Sequence, residues 1–230
     1  MRPLLSVIIP ARNEAQALPL LLRDLSALHA AGAEIILVDG ASEDATCEVA
    51  RPFVDQLLSS KPGRAQQMNA GAAAAHGDYL WFVHADTRVD PGSIQSLLDT
   101  LLEQPIWGRF DVRLSGPGLL LRLIGAMINL RSRVSAIATG DQAIFVARKT
   151  FESLNGYADI ALMEDVELST RLKVLARPRC LRPALLTSSR RWEHNGILRT
   201  VVLMWRLRLA YYLGVSPESL ARDYQRGPRI

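Results

Sequence analysis

The chain has 230 residues and a mass of 25.4 kDa, with 49% hydrophobic and 22% charged residues. That composition excludes a disordered tail or a fibrous repeat and fits one large domain with a real core. The net charge of +4 hides a polarity, because residues 1–115 hold 9 Lys and Arg against 14 Asp and Glu, and residues 116–230 hold 18 against 9. A split of this kind points to two surfaces with different partners. Cys47 and Cys180 are too few for a disulfide framework, and no CxxC pair suggests zinc. The opening MRPLLSVIIP reaches Arg12, Asn13 and Glu14 too soon for a signal peptide. Arginines interrupt the apolar runs at 117–138 and 196–215, which argues against a membrane span. A cytoplasmic protein is expected, with contact to the inner membrane surface left open.

Residues 4–10 form a short apolar β-rich run ended by proline. Asn13 can cap the helix that follows, in which Leu18, Leu21, Leu22, Leu25 and Leu28 recur at helical spacing up to Gly32. A second strand is predicted at 34–38, then a turn and a helix from Ser42 or Asp44 through Ala50. Residues 53–58 read as a third strand. An Ala-rich helix over 64–75 has Gly77 as its C′ residue. Residues 78–83 are a fourth strand running into His84, Ala85, Asp86 and Thr87. Asp90 and Pro91 supply a cap and a first-turn proline for a helix over 91–103. Further strands are predicted at 107–114, 142–146 and 185–188, and further helices at 117–137, 151–154, 164–175, 195–213 and 217–225. Strands alternating with helices predict an α/β fold with a mostly parallel sheet flanked by helices. We read residues 1–230 as one domain, with a nucleotide-type half at 1–115 and an acceptor half with basic C-terminal helices at 116–230.

Ligands of such sheets bind at the carboxyl ends of the strands. Arg12 and Glu14, Asp39, Arg64, and His84 with Asp86 follow the first four strand signals in turn. Neither G-x-G-x-x-G nor G-x-x-x-x-G-K is present, so neither a dinucleotide fingerprint nor a P-loop is expected. Six segments then occur in order: SVIIPARNE (6–14), VDGASEDAT (38–46), GRAQQMNAG (63–71), FVHADT (82–87), GDQAIFVAR (140–148) and MEDVELSTR (163–171), followed by Arg191-Trp192. Together they resemble the family 2 glycosyltransferases of GT-A fold over residues 4–195. Within that family the chain is most similar to the compact bacterial branch labelled arsenosugar-biosynthesis-type glycosyltransferases.

The resemblance implies a UDP- or GDP-linked sugar donor, an inverting transfer to an acceptor hydroxyl, and Mg²⁺ or Mn²⁺. Pro10, Arg12 and Glu14 would line the nucleoside pocket, and Asp39 would accept bonds from base or ribose. Arg64 would reach the pyrophosphate from a helix start. His84 and Asp86 lie at the Asp-x-Asp position, with Asp86 the expected metal ligand. His84 departs from the usual pattern and is expected on the donor side, with ribose contact, Mn²⁺ ligation or neither left open. Asp165 corresponds to the base and Glu164 to its neighbour, although carboxylates in a first helical turn are favourable for dipole reasons alone. Asp141 and Gln142 would stand beside acceptor or donor sugar. Trp107 could stack on a sugar or join the core. Ser188 replaces the glutamine of a Gln-x-x-Arg-Trp element, which argues against processive synthesis. Arg191 and His194 could close over pyrophosphate or metal, a packing role for His194 being the alternative.

In the last third, Leu198, Val201, Val202, Trp205, Leu209 and Tyr212 form an apolar stripe flanked by arginines. Packing on the domain is the favoured reading of that stripe. An anionic membrane surface, consistent with a lipid-linked acceptor, and a homodimer contact are the alternatives. Nucleic acid is not expected as a partner. The competing function is a catalytically silent domain of the same fold acting as a membrane or protein scaffold.

Overall fold

The computed structural model describes residues 3–227, and in its first half short apolar runs alternate with amphipathic helices as expected. Strands β1 (Leu5–Ala11) and β2 (Glu34–Asp39) are buried at every position, as strands covered on both faces must be. With β3 (Gln56–Ser59), β4 (Tyr79–Phe82), β5 (Trp107–Leu114), β6 (Phe145–Ala147) and β7 (Arg179–Thr187) they form one seven-stranded sheet. Its order is β3-β2-β1-β4-β6-β5-β7. All pairings are parallel except those of β6, which runs antiparallel to both β4 and β5.

Side-chain alternation along the strands divides the core into two layers. Val7, Ile9 and Ile35 point to the layer covered by α1 (Leu18–Ala30) and α4 (Pro91–Leu102). Ile8, Ile36 and Val38 point to the layer covered by α3 (Arg64–Ala74), α6 (Arg148–Ser153) and α7 (Glu164–Leu175). The five leucines of the α1 stripe are all buried, each stabilising by about 1.5–3 kcal/mol on removal from water. Asp90 caps α4 by accepting from the Ser93 N–H at 2.9 Å.

Several local expectations differ from the structure. Asn13 does not cap α1, which begins after Ala17. Asn13 has a left-handed φ of 56° and accepts from the Glu43 N–H at 2.8 Å. The helix of the 40s is only α2 (Thr46–Ala50), and α3 ends at Ala74, so Gly77 is not its C′ residue. Gly77 instead packs on β1, where an added Cβ would meet the Ser6 backbone nitrogen at 2.5 Å. Gln142 belongs to a 3₁₀ turn (Gly140–Gln142) ahead of β6. β7 is longer than expected, and its residues 182–184 bulge opposite Asp111. The basic stretch 195–213 is divided between α8 (Arg190–Asn195) and α9 (Ile197–Tyr212), broken at Gly196 with φ 82°.

Helix α9 also presents the opposite face from the one expected. Its buried residues are Thr200, Leu203 and Leu207, and the two leucines join Ile137, Met163 and Val166 and meet Leu220 of α10 (Pro217–Arg226). Leu198, Val202, Trp205, Leu209 and Tyr212 face outward. Helix α5 (Leu119–Ser135) packs Leu121 and Ile124 inward and leaves Leu119, Leu123, Leu130 and Val134 exposed. No helix of the described residues is long and apolar enough to cross a membrane.

Candidate active site

The loops leaving β1 and β2 are laced together. The Asn13 N–H donates to Ser42 Oγ at 2.9 Å, the Glu14 N–H to Thr46 Oγ1 at 2.8 Å, and the Ala15 N–H to Asp44 Oδ2 at 3.1 Å. Gln67 of α3 ties both strand ends from below, donating to Ala11 O and Val38 O, each at 2.8 Å. Asp39, buried at the end of β2, accepts from the Ser42 N–H at 3.1 Å. Arg12 is exposed at the rim of this crevice. Pro10 corrects an expectation, because it is buried inside β1 opposite Val38 and offers the crevice almost no surface.

Beyond β4 the chain turns through His84, Ala85 and Asp86, with the Thr87 N–H on His84 O at 3.0 Å. Asp86 and Glu14 share one cation. Arg190 Nη2 lies 3.2 Å from Glu14 Oε2 and 3.6 Å from Asp86 Oδ2. Ser188 Oγ steadies this guanidinium by accepting from its Nε at 3.0 Å. Burial and the neighbouring Asp86 raise the Glu14 carboxyl above its ordinary range, with Arg190 opposing them in part. Two carboxylates held around one guanidinium suit a divalent ion, since Mg²⁺ takes one or two carboxylates together with substrate phosphates. Among the described residues, no group of three or more His, Cys, Asp or Glu is gathered to enclose a metal. His194, expected as a second metal ligand, lies exposed on α8 with Nδ1 3.1 Å from Asn195 Oδ1. The Arg191 side chain lies outside the described residues.

His84 braces the turn ahead of β6. Its ring is 9% exposed, and Nδ1 lies 3.4 Å from Asp141 Oδ1. Gly140 sits on the ring, where a Cβ would come within 2.7 Å of His84 Nε2, so only glycine fits. Desolvation acts against the Asp141 charge, but the bond to His84 and the charges of His84, Arg64 and Arg208 outweigh it and hold the carboxyl below its usual range.

The Gly140 N–H donates to Asp165 Oδ2 at 2.7 Å, and the Val166 N–H donates to Oδ1 at 2.7 Å. Asp165 is thereby fixed in place. Glu164 beside it is 5% exposed. Burial and the adjacent Asp165 push its carboxyl up to about 7, against the attraction of Arg64. Met163, with a left-handed φ of 70°, starts α7 and sets the aim of both acids. That conformation is uncommon for a residue with a side chain and is characteristic of functional sites. Desolvation of Arg64 is outweighed by Tyr224, Glu164, Asp141 and Asp165, so its guanidinium holds its proton more tightly than usual.

The acid pair borders a cavity of about 340 Å³, lined on one side by Arg64, Gly140 and Asp141 and on the other by α5 and α9. Two expected acceptor contacts do not reach it. Trp107 is 1% exposed, in the core, with its indole N–H on Ala176 O at 2.8 Å. Gln142 is fully buried, accepting from the Thr139 N–H and donating to Phe110 O. Sequence reasoning missed Arg190, Arg131, Arg208 and Tyr224. The Arg-Arg-Trp run was a signal for the first. The other three sit on helices whose neighbours only the tertiary structure defines.

The family model described as Glycosyl transferase family 2 matches residues 6–147. The probable glycosyltransferase YdaM of Bacillus subtilis (strain 168) is 27% identical over 237 residues, covering 92% of this chain and 55% of YdaM. Among solved structures, S. aureus TarS 1-349 in complex with UDP superposes with a TM-score of 0.65 at 16% identity, covering 82% of this chain and 60% of that one. The mannosyltransferase PcManGT from Pyrobaculum calidifontis, in complex with GDP-Man and Mn²⁺, gives 0.60 at 19% identity, covering 97% and 69%. The chain thus spans little more than half the length of YdaM. The solved neighbours bear out the mixed α/β fold of GT-A type expected from the sequence.

Proposed function

The chain belongs to glycosyl transferase family 2, and we propose that it moves one sugar at a time from a nucleoside-diphosphate donor to an acceptor hydroxyl, with inversion and a divalent metal. The observation that carries this reading is the junction of crevice and cavity at Glu164 and Asp165, where Arg64 and Asp141 also converge. Asp39 and the laced loops would hold the nucleoside. Arg64 and Arg190 would take the diphosphate. Asp86, with Glu14 beside it, would hold the metal ion, which when bound stabilises negative charge on the departing diphosphate.

On the acceptor side the acid pair acts as general base. The acceptor O–H gives up its proton to the pair as its oxygen bonds to C1 of the sugar. The C1–O bond to the diphosphate breaks on the opposite face, and the diphosphate leaves with the electron pair. Motif position favours Asp165 as the proton acceptor, and two backbone N–H bonds hold it in line. The raised proton affinity of Glu164, about 7, would let that carboxyl exchange a proton near neutral pH. The solved neighbours above bind UDP and GDP-Man, so UDP- and GDP-sugars are the first donors to try. Placement in the arsenosugar-type branch rests on the overall sequence resemblance alone. The outward apolar faces of α5 and α9, with Arg122, Arg199 and Arg206 also exposed, support a peripheral position on an anionic membrane surface.

The test is a melting-temperature screen of UDP- and GDP-sugars with Mn²⁺. A rise with at least one donor is expected, together with its loss in Asp86→Ala. No rise with any nucleotide sugar would refute the reading.

A further inference from the structure

Arginine pairing around the cavity is uneven. On α5, Arg133 places Nη2 2.6 Å from Asp111, which also takes Arg109. Arg131, on the same helix, is left out of that cluster. Its Nε and Nη2 are buried and have no hydrogen-bond partner among the described residues. Burial, then the like charge of Arg208 on α9, pulls its proton affinity down to about 10. Buried N–H groups of a cation are costly to leave unmatched, and this guanidinium lines the cavity together with that of Arg208. Ile124, Ile128, Val201 and Met204 form the apolar part of the wall beside Arg131 and Arg208, and Asp141, Glu164 and Asp165 line the same cavity. Met127 and Trp205 line the same cavity and are 46% and 60% exposed, so it opens onto the outward apolar faces of α5 and α9.

We infer that this cavity is the acceptor site and takes an amphiphile bearing an oxyanion, phosphate or carboxylate, on an apolar body. The oxyanion sits on Arg131 and Arg208, and the apolar body lies between α5 and α9. A guanidinium fork matches either oxyanion through paired N–H bonds. The two cations together supply the charge that an apolar wall would otherwise exclude. The inference rests on the transferase reading for the acceptor role, and binding is measured separately from transfer.

Trp192 and Trp205 line the cavity, so tryptophan emission reports its occupancy. Decyl phosphate, decanoate, decyl maltoside and inorganic phosphate are titrated below their micelle thresholds. We expect decyl phosphate or decanoate to bind about tenfold or more tightly than decyl maltoside or inorganic phosphate, the tighter of the two identifying the anion. Arg131→Gln should abolish that preference and Arg131→Lys should keep part of it, with the nucleotide-sugar melting shift retained in both. Equal affinity for decyl maltoside, equal affinity for inorganic phosphate, or an undiminished preference in Arg131→Gln would overturn the inference. If Arg131→Gln does not fold, Arg208→Gln carries the same test. Anion preference without any nucleotide-sugar shift would overturn the transferase reading and leave the binding site standing.

Discussion

The crevice at the ends of β1, β2 and β4 and the cavity between α5 and α9 adjoin, yet they are built by opposite means. In the crevice, polar groups are tied to one another. Backbone N–H groups of one loop meet side chains of the next, Gln67 locks two strand ends, and Glu14 and Asp86 share the Arg190 guanidinium. In the cavity the wall is largely apolar and Arg131 has buried N–H groups to spare. The crevice is therefore preorganised for a ligand with many hydrogen-bonding groups at fixed positions. The cavity is shaped for a ligand with few polar groups, and its helices turn still more apolar surface outward.

Substitution at the boundary should give the largest effect. Asp165→Asn is expected to lower kcat by ~10²–10⁴-fold while leaving nucleotide-sugar affinity unchanged. Single-turnover kinetics beside a melting-shift titration would separate the two, and equal losses in both would place Asp165 in the crevice. A silent scaffold would show no turnover for Asp165→Asn to lose.

Next come the two faces of α9. Leu203→Ala, on the buried face, should cost about 2–5 kcal/mol in denaturant unfolding. Leu209→Ala, on the exposed face, should stay within about 0.5 kcal/mol yet weaken sedimentation with anionic liposomes. Similar unfolding costs at both positions would mean that the outward face is covered, for instance by a second copy of the chain.

The Glu164 carboxyl gives a smaller, pH-dependent effect. Its proton affinity in the folded chain, about 7, lies above the ordinary 4.5. The folded state therefore holds this proton more tightly, and ionisation is penalised as pH rises from about 4.5 through about 7. Glu164→Gln should stabilise the protein by ~1–3 kcal/mol above pH 8 and leave stability unchanged at pH 4. In the unsubstituted chain, kcat/KM should rise with pH through an apparent value near 7 that belongs to the Glu164–Asp165 pair. A flat profile between pH 5 and 9 would remove the pair from catalysis.

Arg190→Gln should show the smallest change in stability, under about 1 kcal/mol, because its bridges are exposed. Its donor affinity, by contrast, should fall by about tenfold. Calorimetric titration with the nucleotide sugar would show whether the crevice depends on this closing contact.

The crevice was far more legible in the sequence than the cavity. Asp39 and Asp86 follow uninterrupted apolar strands, and the Leu18–Leu28 stripe and the Asp90-Pro91 cap follow local rules that tertiary packing did not override. The α9 face was misread because that helix is apolar on more than one side, and periodicity cannot say which side meets the core. Gln142 and Trp107 look like ligand contacts in sequence, but their hydrogen bonds go to Phe110 and Ala176, residues distant in the chain. Asn13 has a good capping side chain but spends it on the loop of the neighbouring strand. Arg131 reads as one more surface arginine until α9 is laid across it.

Strand β7 ends the sheet, and a nine-residue edge with free backbone groups is an invitation for another chain to add a strand. This edge is interrupted at several points. Arg179 and Arg182 place charge on it, Pro183 removes a donor within the bulge, and Arg88 pairs with Leu186 through both backbone bonds, at 2.8 and 3.1 Å. The half of the molecule that shows the most apolar side chain to its surroundings is therefore guarded against main-chain addition. It can be greasy without seeding a fibre, and whatever settles on it must do so through side chains.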